Sequence, residues 1–177
     1  MKKYKLKLKN AFTLVETLVA VTILSIAVVG PMFSSAQNIK LASFSQNQLV
    51  AFYLGQEAIE YVRNVRDTNL INSSSWLNGL DNCLLSTSPN GCYIDVKNDE
   101  VDTCGTSCSN KLRFDGVNYN YAPISALNKE TIFSRTVKIE NPFNGNGDEA
   151  KVSITVNWMD RDIIKTMNLQ DNIFNWR

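Results

Sequence analysis

A run without a single charge, Thr17 to Ile39, constrains this chain more than any other feature. Five lysines (Lys2, Lys3, Lys5, Lys7 and Lys9) precede it, with no acid among the first ten residues. The 22 residues from Phe12 to Phe33 would rise ~33 Å as a helix, enough to cross a bilayer core. A lysine-rich start keeps the N-terminus in the cytoplasm, so the expected arrangement is a single pass with everything after it outside. A buried core helix would not abut five lysines. A plain signal anchor and a secretory signal peptide are the remaining simple alternatives.

Glu16 separates these alternatives. A carboxylate inside an apolar span costs a few kcal/mol when it faces lipid, so it marks a functional position. A signal peptide gains nothing from it. Its natural partner is a positive group inside the membrane or an assembly, such as the free amine that a cut before Phe12 would create. The run Ala11-Phe12-Thr13-Leu14-Val15-Glu16-Thr17-Leu18-Val19-Ala20 resembles the prepilin leader junction and helix start of the type IV pilin and pseudopilin family. The resemblance implies cleavage between Ala11 and Phe12 by a prepilin peptidase, which also N-methylates Phe12. It further implies that Glu16 neutralises the new amine and sets subunit register, with other pilin subunits packing through the N-terminal helix. The family usually has glycine where this chain has Ala11, which bears on processing rate. The implied product is a membrane-held subunit and then an extracytoplasmic filament.

A competing cleavage pattern exists. Ser34-Ser35-Ala36 before Gln37 has the small-x-small form of ordinary signal peptidase sites. Cutting there would release a secreted or tethered binding domain, but would leave Glu16 unexplained. Gly30-Pro31 is expected to kink or locally melt the helix, because proline lacks a donor and crowds the preceding turn. The family resemblance adds that such breaks melt on packing into filaments.

Beyond the span, Leu41, Phe44, Ala51, Phe52, Gly55, Ala58, Ile59, Val62 and Val65 recur mainly at spacings of three and four, an amphipathic helix to about Arg66. The organisation read from the sequence is a leader at 1–11, a transmembrane assembly half at 12–35, an amphipathic half at 36–66 and an outer domain at 67–177. Residues 67–90 read as an irregular loop rich in Asn and Ser. Val152, Ile154, Val156 and Trp158 alternate with polar residues, a half-buried strand. Met159 to Asp162 is turn chemistry, and Ile163 to Leu169 a return strand. Phe133, Val137 and Ile139 mark another strand, with weaker ones at Tyr93–Lys97, Lys111–Phe114 and Tyr119–Tyr121. The fold class is α+β: a long N-terminal helix, membrane-spanning in its first half, covering a C-terminal antiparallel sheet. The pattern Phe133-x-Arg135-x-Val137, with a strand ending at Trp158 and a short return strand, looks like minor pilins and minor pseudopilins. That resemblance implies a low-abundance subunit.

Cys83, Cys92, Cys104 and Cys108 all follow the span, where an even number reads as disulfides with three connectivities open. Proximity favours Cys83–Cys92 and Cys104–Cys108, with nested pairing left open. Four thiolates on zinc would be the sharp alternative, but the spacings lack two-residue knuckles. Asp95, Asp99, Glu100 and Asp102, and the stretch from Asn144 to Glu149, are oxygen-rich loops of the sort that can hold calcium, without an EF-hand pattern. No other cofactor is indicated. The chain has no histidine, which removes the commonest general base and any Ser-His-Asp site. No Gly-rich phosphate loop or carboxylate constellation suggests an enzyme. Removing a leader through Ala11 takes five of 18 basic residues and no acid, leaving 13 against 17. That mildly acidic balance does not suggest a nucleic-acid partner.

Overall fold

A computed structural model of the chain describes residues 13–143, 145 and 147–176. Two units divide it, Met1–Ser43 and Phe44–Arg177. One helix, α1 (Leu14–Ile71), contributes to both. Ala11 and Phe12 lie outside the described residues.

In the second unit α1 packs on a sheet through Ala51, Leu54, Gly55, Ala58, Ile59, Val62 and Arg66. The stripe follows the helical period, and its residues are small where contact is closest. A Cβ on Gly55 would sit 2.6 Å from the end of the Leu169 side chain, so any larger residue here would push that side chain aside. The helix runs one turn past its expected end. Residues 67–71 read as loop because Asp67, Thr68 and Asn69 are poor helix formers, yet Leu70 packs against the core. Termination comes at Ser73, whose φ of 54° is left-handed. Ser74 and Ser73 donate backbone bonds to Asn69 (3.0 Å) and Leu70 (3.2 Å), the Schellman arrangement that satisfies terminal carbonyls.

Seven strands form one antiparallel sheet: β1 (Cys92–Asp95), β2 (Glu100–Thr103), β3 (Lys111–Phe114), β4 (Tyr119–Asn120), β5 (Lys129–Glu140), β6 (Glu149–Asp160) and β7 (Ile163–Phe174). Strand β5 is central. It pairs with β6 along one edge and with β1 and β3 in succession along the other. β2 extends β1 and β4 extends β3. The alternation read in β6 is real: Ala150, Val152, Ile154, Val156 and Trp158 are buried and the residues between them are not. Trp158 lies between Phe44 and Phe133, each ring centroid 6.4 Å away. The return strand does not stop at Leu169 but continues to Phe174. The acidic run after Asp99 is itself a strand, β2, missed because its residues are mostly exposed and show no alternation.

Arg135 is the largest fully buried side chain among the described residues, at 1% exposure. Its Nη1 donates to the Leu54 carbonyl (2.8 Å) and to Glu57 Oε2 (2.6 Å), and its Nη2 to the Ile94 carbonyl (2.6 Å). Helix α1, β5 and β1 therefore meet at one guanidinium. Removing one member of a buried charged network leaves its partners unsatisfied. Arg135→Ala should therefore lower unfolding free energy by ~3 kcal/mol in denaturant titration, a large share of a small domain's stability.

The Tyr121 hydroxyl donates to the Arg135 carbonyl at 3.2 Å. Burial pushes this phenol up to about 12, against the opposing pull of the Arg135 charge. A folded value above the unfolded one of 10.0 contributes stability that is complete below pH 10 and lost as pH rises towards 12. Thermal unfolding should show falling stability across that window, with a shallower fall in Tyr121→Phe.

Candidate functional site

The first unit holds the residues that the sequence singles out. Thr13 begins α1 by accepting the Glu16 backbone N–H on its Oγ1 at 3.2 Å, while its carbonyl accepts from Thr17 at 3.2 Å. This is N-cap geometry, and Thr13-Leu14-Val15-Glu16 has the spacing of a capping box. A carboxylate in the first turn is also favoured by the helix dipole.

Three other hydroxyls of this segment turn inward on the backbone. Thr17, Thr22 and Ser25 donate to the carbonyls of Leu14 (2.9 Å), Val19 (2.7 Å) and Val21 (2.8 Å). Each is satisfied by the helix itself, as an apolar surrounding requires. The Glu16 carboxylate differs: among the described residues it has no hydrogen-bond or ion partner.

Every residue from Thr13 to Ser43 is exposed in the isolated chain. Leu14, Ile26 and Phe33 are 79%, 75% and 69% accessible. So continuous an apolar helical surface calls for lipid or other helices. Gly30 and Pro31 do not interrupt it. The expected local melting is absent, and α1 continues as α-helix through both residues. Proline removes one donor, but the bonds on either side persist, and apolar helices tolerate that loss.

The four cysteines form two disulfides, Cys83–Cys92 and Cys104–Cys108, the pairs that proximity favours. All four sulfurs are thereby occupied, which leaves no thiolate for the zinc alternative. The first bridge ties the short helical turn Asp81–Cys83 to the start of β1. Between them Gly91 adopts φ of 90°, and a Cβ there would meet the Val137 carbonyl oxygen at 2.4 Å. Only glycine fits both constraints.

The acidic loop has structural partners. Asp95, 4% exposed, accepts from the Asn98 N–H (3.2 Å), the Asn98 amide (2.9 Å) and the Tyr121 N–H (2.8 Å). Asp99 accepts the Tyr61 hydroxyl at 2.8 Å. Burial first, and then this bond, raise the Tyr61 phenol above its ordinary range. Among the described residues no group of three or more acidic, cysteine or histidine side chains is placed to hold a metal. Glu57 is the residue that sequence reasoning passed over: it is the carboxylate partner of Arg135 at 2.6 Å.

Opening the first bridge should lower stability. Cys83 and Cys92 are nine residues apart, and loop-closure entropy for that span gives ~2.5 kcal/mol. The double variant Cys83→Ser/Cys92→Ser, compared with wild type in denaturant titration, measures it.

Residues 6–30 match the family model described as the prokaryotic N-terminal methylation motif. No curated protein and no solved structure matched the chain.

Proposed function

Because the chain carries a type IV pilin-like prepilin segment, we propose that it is a subunit of a type IV pilus or related filament. In this reading a prepilin peptidase cuts between Ala11 and Phe12 and methylates Phe12. The apolar helix then holds the subunit in the cytoplasmic membrane until it packs against other subunits, with the second unit outside. The observation that carries the reading is Glu16. It stands four residues after the proposed new terminus, without a partner among the described residues, in a segment whose Thr17, Thr22 and Ser25 hydroxyls are satisfied internally. A carboxylate kept in an apolar span at a cost of a few kcal/mol needs a cation there, and the Phe12 amine of a neighbouring subunit supplies one.

The apolar helix and the methylation motif support membrane anchoring through the N-terminus. Both fit a structural role rather than a catalytic one. The Phe133-x-Arg135-x-Val137 pattern favours a minor subunit or minor pseudopilin. Gly30-Pro31, helical in the single chain, is then the place where the helix loosens on packing, since its bonding is already one donor short.

The role of Glu16 is tested by assembly. Glu16→Gln should still be inserted and cleaved, but its recovery in sheared filaments should drop by roughly tenfold or more, as expected when a buried charge loses its partner. Filament recovery equal to wild type would contradict the role given to this carboxylate.

A further inference from the structure

Within the second unit, α1 and β7 run in the same direction. Lys165 lies over the Phe44 ring at 5.8 Å, and Arg63 reaches Asp171 at 2.9 Å. The antiparallel registers then place three connections at the end where the chain enters, at Phe44. They are the β6–β7 turn at Arg161-Asp162, the β3–β4 turn at 115–118 and the loop at 121–128 that leads into β5. Strand β6 passes the level of Phe44 at Trp158, with ring centroids 6.4 Å apart, and meets its turn about 10 Å farther on.

Most of the apolar side chains left exposed on the sheet and its loops gather at this end, Phe174 and Trp176 being the exceptions. Val117 and Leu127, 81% and 80% accessible, stand on the two loops and line one hollow of about 460 Å³. Ile132, Met159 and Ile164 line another, of about 410 Å³, on the sheet face away from α1. They are the first residues of that face above the β6–β7 turn. The next two cross-strand rows are polar: Ser134, Asn157 and Thr166, then Thr136, Thr155 and Asn168. A face that simply meets water has no reason to turn from polar to apolar along its strands. A boundary lying across the strands gives one.

The anchor says what that boundary is. From Phe33, the end of the apolar span, to Phe44 the chain is helical, a rise of ~16 Å. We propose that the apolar rim of the second unit rests in the lipid interface of the membrane that anchors the chain. Val117, Leu127 and the group of Ile132, Met159 and Ile164 then enter the boundary between headgroups and acyl chains. The rim's reach of about 10 Å beyond Phe44 and a headgroup layer of roughly 5–7 Å together account for the helical rise. Apolar tips on three separate connections suit a deformable surface better than a shaped partner. Lys129 and Arg161 at the rim are offset by Asp160 and Asp162, so the attraction is apolar and neutral lipid suffices. The inference rests on the membrane anchoring proposed above, and on neither cleavage nor assembly.

Fluorescence quenching tests this on the full chain, reconstituted in phosphatidylcholine vesicles whose acyl chains carry nitroxides. All four native cysteines are in disulfides, so one introduced cysteine takes one bimane label. Leu127→Cys and Ile164→Cys should be quenched at least roughly threefold more than Asn172→Cys, at the far end of β7, because side chains seated at an interface enter it by ~5–10 Å. Adding Leu127→Asp to Ile164→Cys should remove roughly half or more of its quenching, since a charge resists entry into lipid. Leu127→Met should preserve it. Ile26→Cys, inside the span, reports the anchor itself. Quenching at Ile26 with none at Leu127 and Ile164, or indifference to Leu127→Asp, would overturn the inference and leave the anchor standing. No quenching at Ile26 would remove both. Rim labels shielded from aqueous iodide yet not quenched by lipid would assign the rim to a second copy, and would also overturn it.

Discussion

A guanidinium taken out of water must find an acceptor for every donor it can, and the second unit is arranged around that demand. Arg135 projects from the central strand into the layer between sheet and helix, where only its Nε lacks a partner. Its bonds to the Leu54 carbonyl and the Glu57 carboxylate fix the rotation of α1 about its own axis. Once that rotation is fixed, Gly55 faces Leu169, and Ala51, Leu54, Ala58 and Val62 face the core. The bond to Ile94 holds β1 against the same point. A hydrophobic residue at position 135 could fill the volume, but could not specify which turn of the helix lies over which strand. The charge supplies register as well as cohesion.

That interaction also explains what could be read from the sequence and what could not. Strand β6 was legible because its inward positions are uniformly apolar. The middle of β5 was recognisable, but Arg135 stands at an inward position and interrupts the pattern that would reveal its full length. Strand β7 was cut short in the reading because Asp171 and Asn172 look like loop residues. Their charge and polarity are tolerated because β7 is an edge, with Arg63 close enough to pair with Asp171. Strand β2 shows no periodicity because it is an exposed edge too. The last turn of α1 was hidden by Thr68 and Asn69, whose poor propensity is offset by the Asn69 amide bonding to the Trp76 and Asn78 carbonyls.

The first unit follows a different logic. None of its described residues is buried, so no packing argument applies, and its information lies in the pairing of polar groups. Thr13 caps the helix, and three further hydroxyls return to the backbone. Glu16 was identifiable from sequence as the one charge in an apolar span. The structure adds that its neighbours' polar groups are already served, so nothing nearby among the described residues competes for the carboxylate. Gly30-Pro31, where a kink or local melting is expected, stays α-helical in the single chain. Losing one donor is a local defect, and a helix of this length carries it without leaving the α conformation.

The central claim is that the N-terminus is made by a cut at one junction, so that a charged amine exists for Glu16 to meet. Intact-mass and N-terminal peptide analysis of the chain recovered from a host with a prepilin peptidase tests this directly. The account predicts a mature chain beginning at N-methylated Phe12. A chain beginning at Gln37, or one retaining Met1, would contradict it.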